Sequence, residues 1–173
     1  MEKTISSKII YQGKVIKVRV DEVLLVNGRI SRREIVEHGG AVAILALNEK
    51  GEAYFVRQYR KPLEKELLEV PAGKLEEGEI PAECAVRELE EEIGLTPGKL
   101  SLLASFYSSP GFTSEKLFVY LATELRPVET EKPVDEIIQI ISLPFDKALN
   151  MAKDGQFEDG KTLVALLLAE NIV

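Results

Sequence analysis

The sequence predicts an α/β chain in which a mixed β-sheet is sandwiched between helices. Three observations carry this reading. Stretches with an apolar period of two, or short continuous apolar runs, outnumber stretches with a helical period. The helical stretches are scattered between the strands, not segregated at one end. At 173 residues the chain matches one domain in length and can bury about 70% of its unfolded surface. One domain over 1–173 is therefore expected, with 1–38 as an antiparallel strand extension.

Each element has a local reason. Val15 to Val26 alternates, with Val18 and Val20 against Lys17 and Arg19, and ends in the apolar run Val23-Leu24-Leu25-Val26. Asn27-Gly28 predicts a type I′ hairpin turn, and Arg29 to Glu37 the return strand. Ala41 to Leu47 is almost wholly apolar, as a buried strand is, and Asn48 to Gly51 turns the chain into a strand over Ala53–Tyr59. Leu67 to Val70 is extended ahead of Pro71. Pro81 to Ile93 is the clearest helix, with Pro81 suited to the first position and Gly94 to the left-handed residue after the last. Strands follow at Leu100–Tyr107, Lys116–Ala122 and Ile137–Leu143, then amphipathic helices at Phe145–Lys153 and Lys161–Glu170.

Composition narrows the function. Apolar residues make up 45% and charged residues 29%, as in soluble globular chains. The net charge of −7 repels phosphate backbones and argues against general nucleic-acid binding. Cys84 is the sole cysteine and His38 the sole histidine, so an intramolecular disulfide, multi-cysteine metal sites and two-histidine zinc motifs are excluded. No apolar run reaches the ~18 residues of a membrane span, and Met1-Glu2-Lys3-Thr4 begins no signal peptide, so a cytoplasmic protein with no membrane partner is expected.

The chemistry concentrates on one helix. Eight acids lie between Glu76 and Glu92, with Arg87 as the only base among them. With Leu89 at zero on a helical wheel, Ala82, Ala85, Val86 and Ile93 fall within about 60° and form a buried stripe. Glu88 and Glu92 fall at about −100° and −60°, at the edge of that stripe, and at i,i+4 their carboxylates can converge. Glu91 lies about 60° beyond Glu88. Arg87 can pair with Glu83 or Glu91 but is expected to point away from Glu88 and Glu92. Two carboxylates converging at the margin of a core repel each other, and a hard divalent cation with oxygen ligands relieves that repulsion. Such an ion binds diphosphates, for which Arg57 and Arg60 are candidate partners on the far side of the anion.

Gly73 to Leu95 resembles the Nudix box, G-x5-E-x7-R-E-U-x-E-E-x-G-U with U bulky and apolar. Gly73, Glu79, Arg87, Glu88, Leu89, Glu91, Glu92, Gly94 and Leu95 fill every fixed position. Arg57-Gln58-Tyr59-Arg60, Leu68-Glu69-Val70-Pro71-Ala72-Gly73 and Ser109-Pro110-Gly111-Phe112-Thr113-Ser114-Glu115 are similar to the ADP-ribose pyrophosphatase subfamily, whose marker is a proline such as Pro110, sixteen residues after Gly94. The resemblance implies the Nudix fold, with the box over 73–95 as loop–helix–loop. It implies Mg²⁺ as cofactor, with Mn²⁺ as an alternative, held by Glu88 and Glu92 with Glu91 close by, and by the Ala72 carbonyl and Glu76. Glu79 would support the site and Arg87 would orient the glutamates.

The resemblance also implies a late loop glutamate that positions the attacking water. Glu136 is the candidate, with Asp135 in reserve and Glu91 as the next alternative. Substrate contacts are expected from Arg57, Arg60, Ser109, Gly111 and Glu115. It further implies a homodimer through the N-terminal strands, in which Arg32, Arg33 or Glu34 reaches the neighbouring site and Val15 packs on adenine. His38-Gly39-Gly40 stands where relatives often carry a proline; His38 is expected to be a hydrogen-bonded strand-end residue, and Cys84 buried helix filler. The implied activity is hydrolysis of ADP-ribose to AMP and ribose 5-phosphate. The alternatives are another nucleoside diphosphate sugar or dinucleotide, or a non-catalytic ADP-ribose-sensing module.

Overall fold

The computed structural model describes residues 1–130 and 138–173, which form two compact units. The first comprises Met1–Gly40 and Phe106–Leu117. It holds an antiparallel three-stranded sheet of β1 (Lys3–Gln12), β2 (Ile16–Leu24) and β3 (Ile30–His38), in that order. No particular strand was expected over Lys3–Gln12 within the 1–38 extension. All ten residues of β1 are exposed, so no burial requirement imposes an apolar alternation for sequence reading to find. The β2–β3 turn also differs from expectation. Gly28 N–H closes a turn onto the Leu25 carbonyl at 2.9 Å, and Gly28 is the turn residue with positive φ, 79°. A type I′ turn needs positive φ at both central residues, so this is a type I turn followed by a left-handed glycine. In the same unit, residues 112–114 are stitched to β3 by Val36 N–H on the Phe112 carbonyl (2.8 Å) and Ser114 N–H on the Val36 carbonyl (3.0 Å).

The second unit, Ala41–Ser105 and Phe118–Val173, has the expected class, a mixed α/β arrangement with a sheet flanked by helices. Its sheet is built from β4 (Ala41–Leu47), β5 (Glu52–Arg60), β6 (Lys65–Glu69), β7 (Ala72–Lys74), β8 (Leu95–Tyr107), β9 (Lys116–Pro127) and β10 (Gln139–Pro144). The strand order is β10-β5-β4-β9-β8. The strand expected from Ile137 begins within the description at Gln139; Ile137 itself lies outside the described residues.

One local feature of this sheet places the site. Strands β4 and β5 pair only at Ala46–Tyr54 and Leu47–Ala53, next to the turn that joins them. Beyond that they part. β6 runs antiparallel along β5, with Val56 opposite Glu69, and β7 runs antiparallel along β4, with Ala43 opposite Ala72 and Val42 opposite Gly73. Val70-Pro71 carries the chain from one arm of the fork to the other. Pro71 has no N–H to satisfy, and its carbonyl accepts from Ile44 N–H at 2.8 Å.

The helices are α1 (Pro81–Ile93), α2 (Phe145–Lys153) and α3 (Gly160–Ala169). α1 has the expected ends: Pro81 opens it, and Gly94, at φ 69°, closes it with its N–H on the Glu90 carbonyl. Its buried face is turned from the expected stripe. Cys84, Ala85, Leu89, Glu92 and Ile93 are buried, while Ala82 and Val86 are half-exposed. The stripe widened toward the glutamate side because the strand beneath is glycine and alanine and lets that side approach. Val42, Ile44 and Ala46 of β4 share a core with Ala85, Leu89 and Tyr120. Ala43 and Leu45 alternate to the other face and are equally buried.

Leu89 is fully buried where α1 meets this core. Leu89→Ala is expected to cost about 2–5 kcal/mol through lost transfer energy and the cavity left behind. A urea-unfolding midpoint shift at constant slope checks it.

Candidate active site

The site begins at β7, where Ala72 and Gly73 carry almost no side chain. A β-carbon added at Gly73 would fall 1.8 Å from the Glu88 carboxyl carbon, so the absence of a side chain there is what lets the Glu88 carboxylate lie on the backbone. One turn later, Glu92 Oε2 accepts Ala72 N–H at 3.1 Å, and the Glu92 side chain is buried. The two carboxylates expected to converge therefore end on adjacent residues of β7.

Arg87 corrects the wheel-based expectation. Its Nη1 donates to Glu88 Oε1 at 2.7 Å and to Glu91 Oε2 at 3.1 Å, so the guanidinium reaches Glu88 and does not point away from it. A wheel fixes only where Cβ leaves the helix, and a long arginine stem swings past that direction. Nε and Nη2 donate to the two oxygens of Glu79 at 2.8 and 3.0 Å, and Nη2 also to the Lys74 carbonyl at 3.2 Å. Glu79 in turn accepts Glu76 N–H at 2.9 Å, which folds the loop ahead of α1. The Arg87 hydrogen bonds hold the Glu79 carboxyl down at about 2, so it is ionised throughout the neutral range. Cys84 is buried as expected, its thiol donating to the Lys74 carbonyl; burial pushes it up to about 12.

The remaining expected residues divide between the units. In the second, Glu91 is half-exposed, Glu76 is exposed, and Arg57 is exposed on β5 opposite Leu68. Arg60 grips the buried carboxylate of Glu69 with Nε at 2.7 Å and Nη2 at 2.8 Å. In the first unit, Arg32 pairs with Glu22 at 3.3 Å, and Arg33 pairs with Glu2. Glu34 and Val15 are exposed there. The Ser109 carbonyl accepts from Phe112 and Thr113 N–H, Gly111 is exposed, and Glu115 N–H donates to Thr113 Oγ1 at 3.1 Å. His38 Nδ1 accepts Gly40 N–H at 3.0 Å. That nitrogen carries a lone pair, so its 3.8 Å approach to Glu115 is not an ion pair. Asp135 and Glu136 lie outside the described residues.

Sequence reading missed one group. Glu69 also takes Lys161 Nζ, and Val70 N–H donates to Thr162 Oγ1 at 2.9 Å. Asp159-Gly160-Lys161-Thr162 is readable as a helix start, but nothing local links it to a strand 92 residues away.

Among the described residues, no three histidine, cysteine or acidic side chains gather into a ready-made metal cage. The groups brought to β7 are the carboxylates of Glu88, against Gly73, and of Glu92, on the Ala72 N–H, both oxygen donors. That chemistry fits a hard divalent ion held by few protein groups and completed by water and substrate phosphate. Among the described residues, no helix is long and apolar enough to cross a membrane.

Residues 37–166 match the NUDIX domain, and residues 2–36 match the nucleoside diphosphate sugar hydrolase N-terminal domain. An ADP-ribose pyrophosphatase of Bacillus subtilis is 46% identical over 95% of this chain and 90% of its own length. A methanol dehydrogenase activator of Bacillus methanolicus is similar to the same extent, 46% over 95% of this chain and 90% of its own. A crystal structure of an ADP compounds hydrolase superposes with a TM-score of 0.87 at 22% identity, covering 99% of this chain and 93% of that one, and shares the fold.

Gly73→Ala tests the close approach directly. The added methyl displaces the Glu88 carboxylate by an ångström or more, and a misplacement of that size costs about 10²-fold in turnover. The folded state should persist, since the atoms that must give way are the far end of a flexible side chain. Circular dichroism beside a turnover assay checks both halves.

Proposed function

The chain belongs to the NUDIX domain family, and from that membership we propose that it hydrolyses the diphosphate bond of ADP-ribose, giving AMP and ribose 5-phosphate. The observation that carries the reading is the pair Glu88 and Glu92, brought to Ala72-Gly73 in a chain whose Bacillus subtilis relative is an ADP-ribose pyrophosphatase. A bound Mg²⁺, or Mn²⁺ in its place, supplies charge that neutralises the diphosphate and lowers the pKa of water. Glu88, Glu92 and the Ala72 carbonyl are the groups that would hold it, with Glu91 and Glu76 nearby in sequence.

The other steps fall to the chain's own residues. Arg87 fixes the rotamers of Glu79, Glu88 and Glu91. Arg57 and Arg60 meet the diphosphate, and Ser109, Gly111 and Glu115 line the loop that meets the rest of the substrate. Glu136, with Asp135 in reserve, accepts the proton of the attacking water. The water oxygen bonds to one phosphorus, the bridging P–O bond breaks, and the bridging oxygen leaves on the other phosphate.

Other nucleoside diphosphate sugars form the second reading, favoured by the match of residues 2–36. The intact glutamate pair argues against a non-catalytic sensor. The reading keeps the cytoplasmic location expected from the sequence. It also keeps the homodimer. Ile5, Ile9, Ile10 and Tyr11 on β1, with Val26 and Ile30 nearby, are each more than half exposed, an apolar surface suited to a second copy of the same strands. Arg32, Arg33 and Glu34 would then reach across.

A panel of nucleoside diphosphate derivatives with Mg²⁺ should give the highest kcat/KM for ADP-ribose, with AMP and ribose 5-phosphate as products; uniform inactivity would end the proposal. Glu136→Gln should lower kcat by about 10²–10⁴-fold with little change in KM. Light scattering at micromolar concentration should give the mass of two chains, and an active monomer would remove the cross-chain roles of Arg32 and Arg33.

A further inference from the structure

Four consecutive residues, Glu69 to Ala72, lead into the site, and each is held by another segment of the chain. Ala72 N–H is taken by Glu92, and the Pro71 carbonyl by Ile44 N–H at 2.8 Å. The two before them are held by the first turn of α3. Val70 N–H donates to Thr162 Oγ1 at 2.9 Å, with Thr162 fully buried. Glu69, also buried, takes Lys161 Nζ on the oxygen that accepts Arg60 Nη2.

The α3 turn is itself tied. Asp159 Oδ2 accepts both Thr162 N–H at 2.9 Å and Thr162 O–H at 2.6 Å, while its Oδ1 accepts Lys161 Nζ at 2.7 Å. The Thr162 hydroxyl therefore has a fixed direction. Its proton is committed to Asp159, so a lone pair is turned to Val70 N–H. A helix cap alone needs only Asp159 and the Thr162 N–H. The buried hydroxyl of Thr162 and the half-buried ammonium of Lys161, reaching to residues 70 and 69, go beyond what capping requires.

We propose that Asp159, Lys161 and Thr162 are positioning residues for the cation site, acting through Glu69-Val70 to set where the Ala72 carbonyl and the Glu92 carboxylate lie. This rests on the reading of Glu88 and Glu92 as the cation ligands. The lever is short. One residue, Pro71, separates Val70 from Ala72, and its φ is fixed, so a shift at Val70 passes to Ala72 with little to absorb it. Groups that orient metal ligands from outside the coordination shell are typically worth 10–100-fold in metal affinity or activity.

The test uses the full chain with Mn²⁺ alone and calorimetric titration, without substrate and well below the melting temperature. Thr162→Val keeps the shape and removes the hydroxyl. It should weaken Mn²⁺ binding about 10–100-fold and, with Mg²⁺ and ADP-ribose, lower kcat more than it changes KM. Thr162→Ser restores the hydroxyl and should recover the Mn²⁺ affinity. Lys161→Met, which keeps the stem and removes the ammonium from both Glu69 and Asp159, should also weaken Mn²⁺ binding, and it carries the test by itself if Thr162→Val does not fold. Glu92→Gln serves as the reference. If it leaves Mn²⁺ binding intact, the cation-site reading fails and this proposal with it. If Glu92→Gln abolishes binding while Thr162→Val and Lys161→Met bind Mn²⁺ as the parent does, the positioning role alone is overturned. Lowered stability with parental Mn²⁺ affinity would likewise overturn it, since a purely structural clamp gives that result.

Discussion

One guanidinium holds three carboxylates beside β7, at the edge of the core under α1. Arg87 contacts Glu79, Glu88 and Glu91 at once, and its fourth anchor is the Lys74 carbonyl on β7. Without it, three like charges would face one another at the margin of a core, where water screens them poorly. The helix could then keep its apolar contacts only by turning its acids outward, and Glu88 would leave Gly73. The packing of α1 on the sheet and the placement of the acids are therefore one arrangement.

The second condition lies in the backbone beneath. Ala72 and Gly73 present almost no side-chain volume, so α1 approaches β7 closely enough for carboxylates to meet main-chain atoms. The same closeness explains why Glu92 is buried where a wheel places it at the rim. Helical periodicity alone carries no information about the partner surface.

Elements whose reasons are local were legible. α1 runs from Pro81 to Ile93 with Gly94 beyond it, as the proline and glycine require, and Phe145–Lys153 and Ala41–Leu47 keep their expected ends. The acidic pair was legible because i,i+4 spacing and charge are both written in the chain. What escaped was set by tertiary contact. Strand β1 is exposed along its whole length and has no apolar rhythm. β7 is three residues that are strand only because β4 parts from β5. The reach of Arg87 to Glu88 depends on side-chain torsions, and the bond from Thr162 to Val70 joins segments 92 residues apart.

The fork between β4 and β5 has a consequence for how this chain can diverge. The segment that fills it is at once the floor of a hydrophobic core and the ledge on which the acids rest. A substitution there is screened twice, for folding and for chemistry, and few alternatives pass both screens. Exposed turns and strand ends, by contrast, carry only one duty.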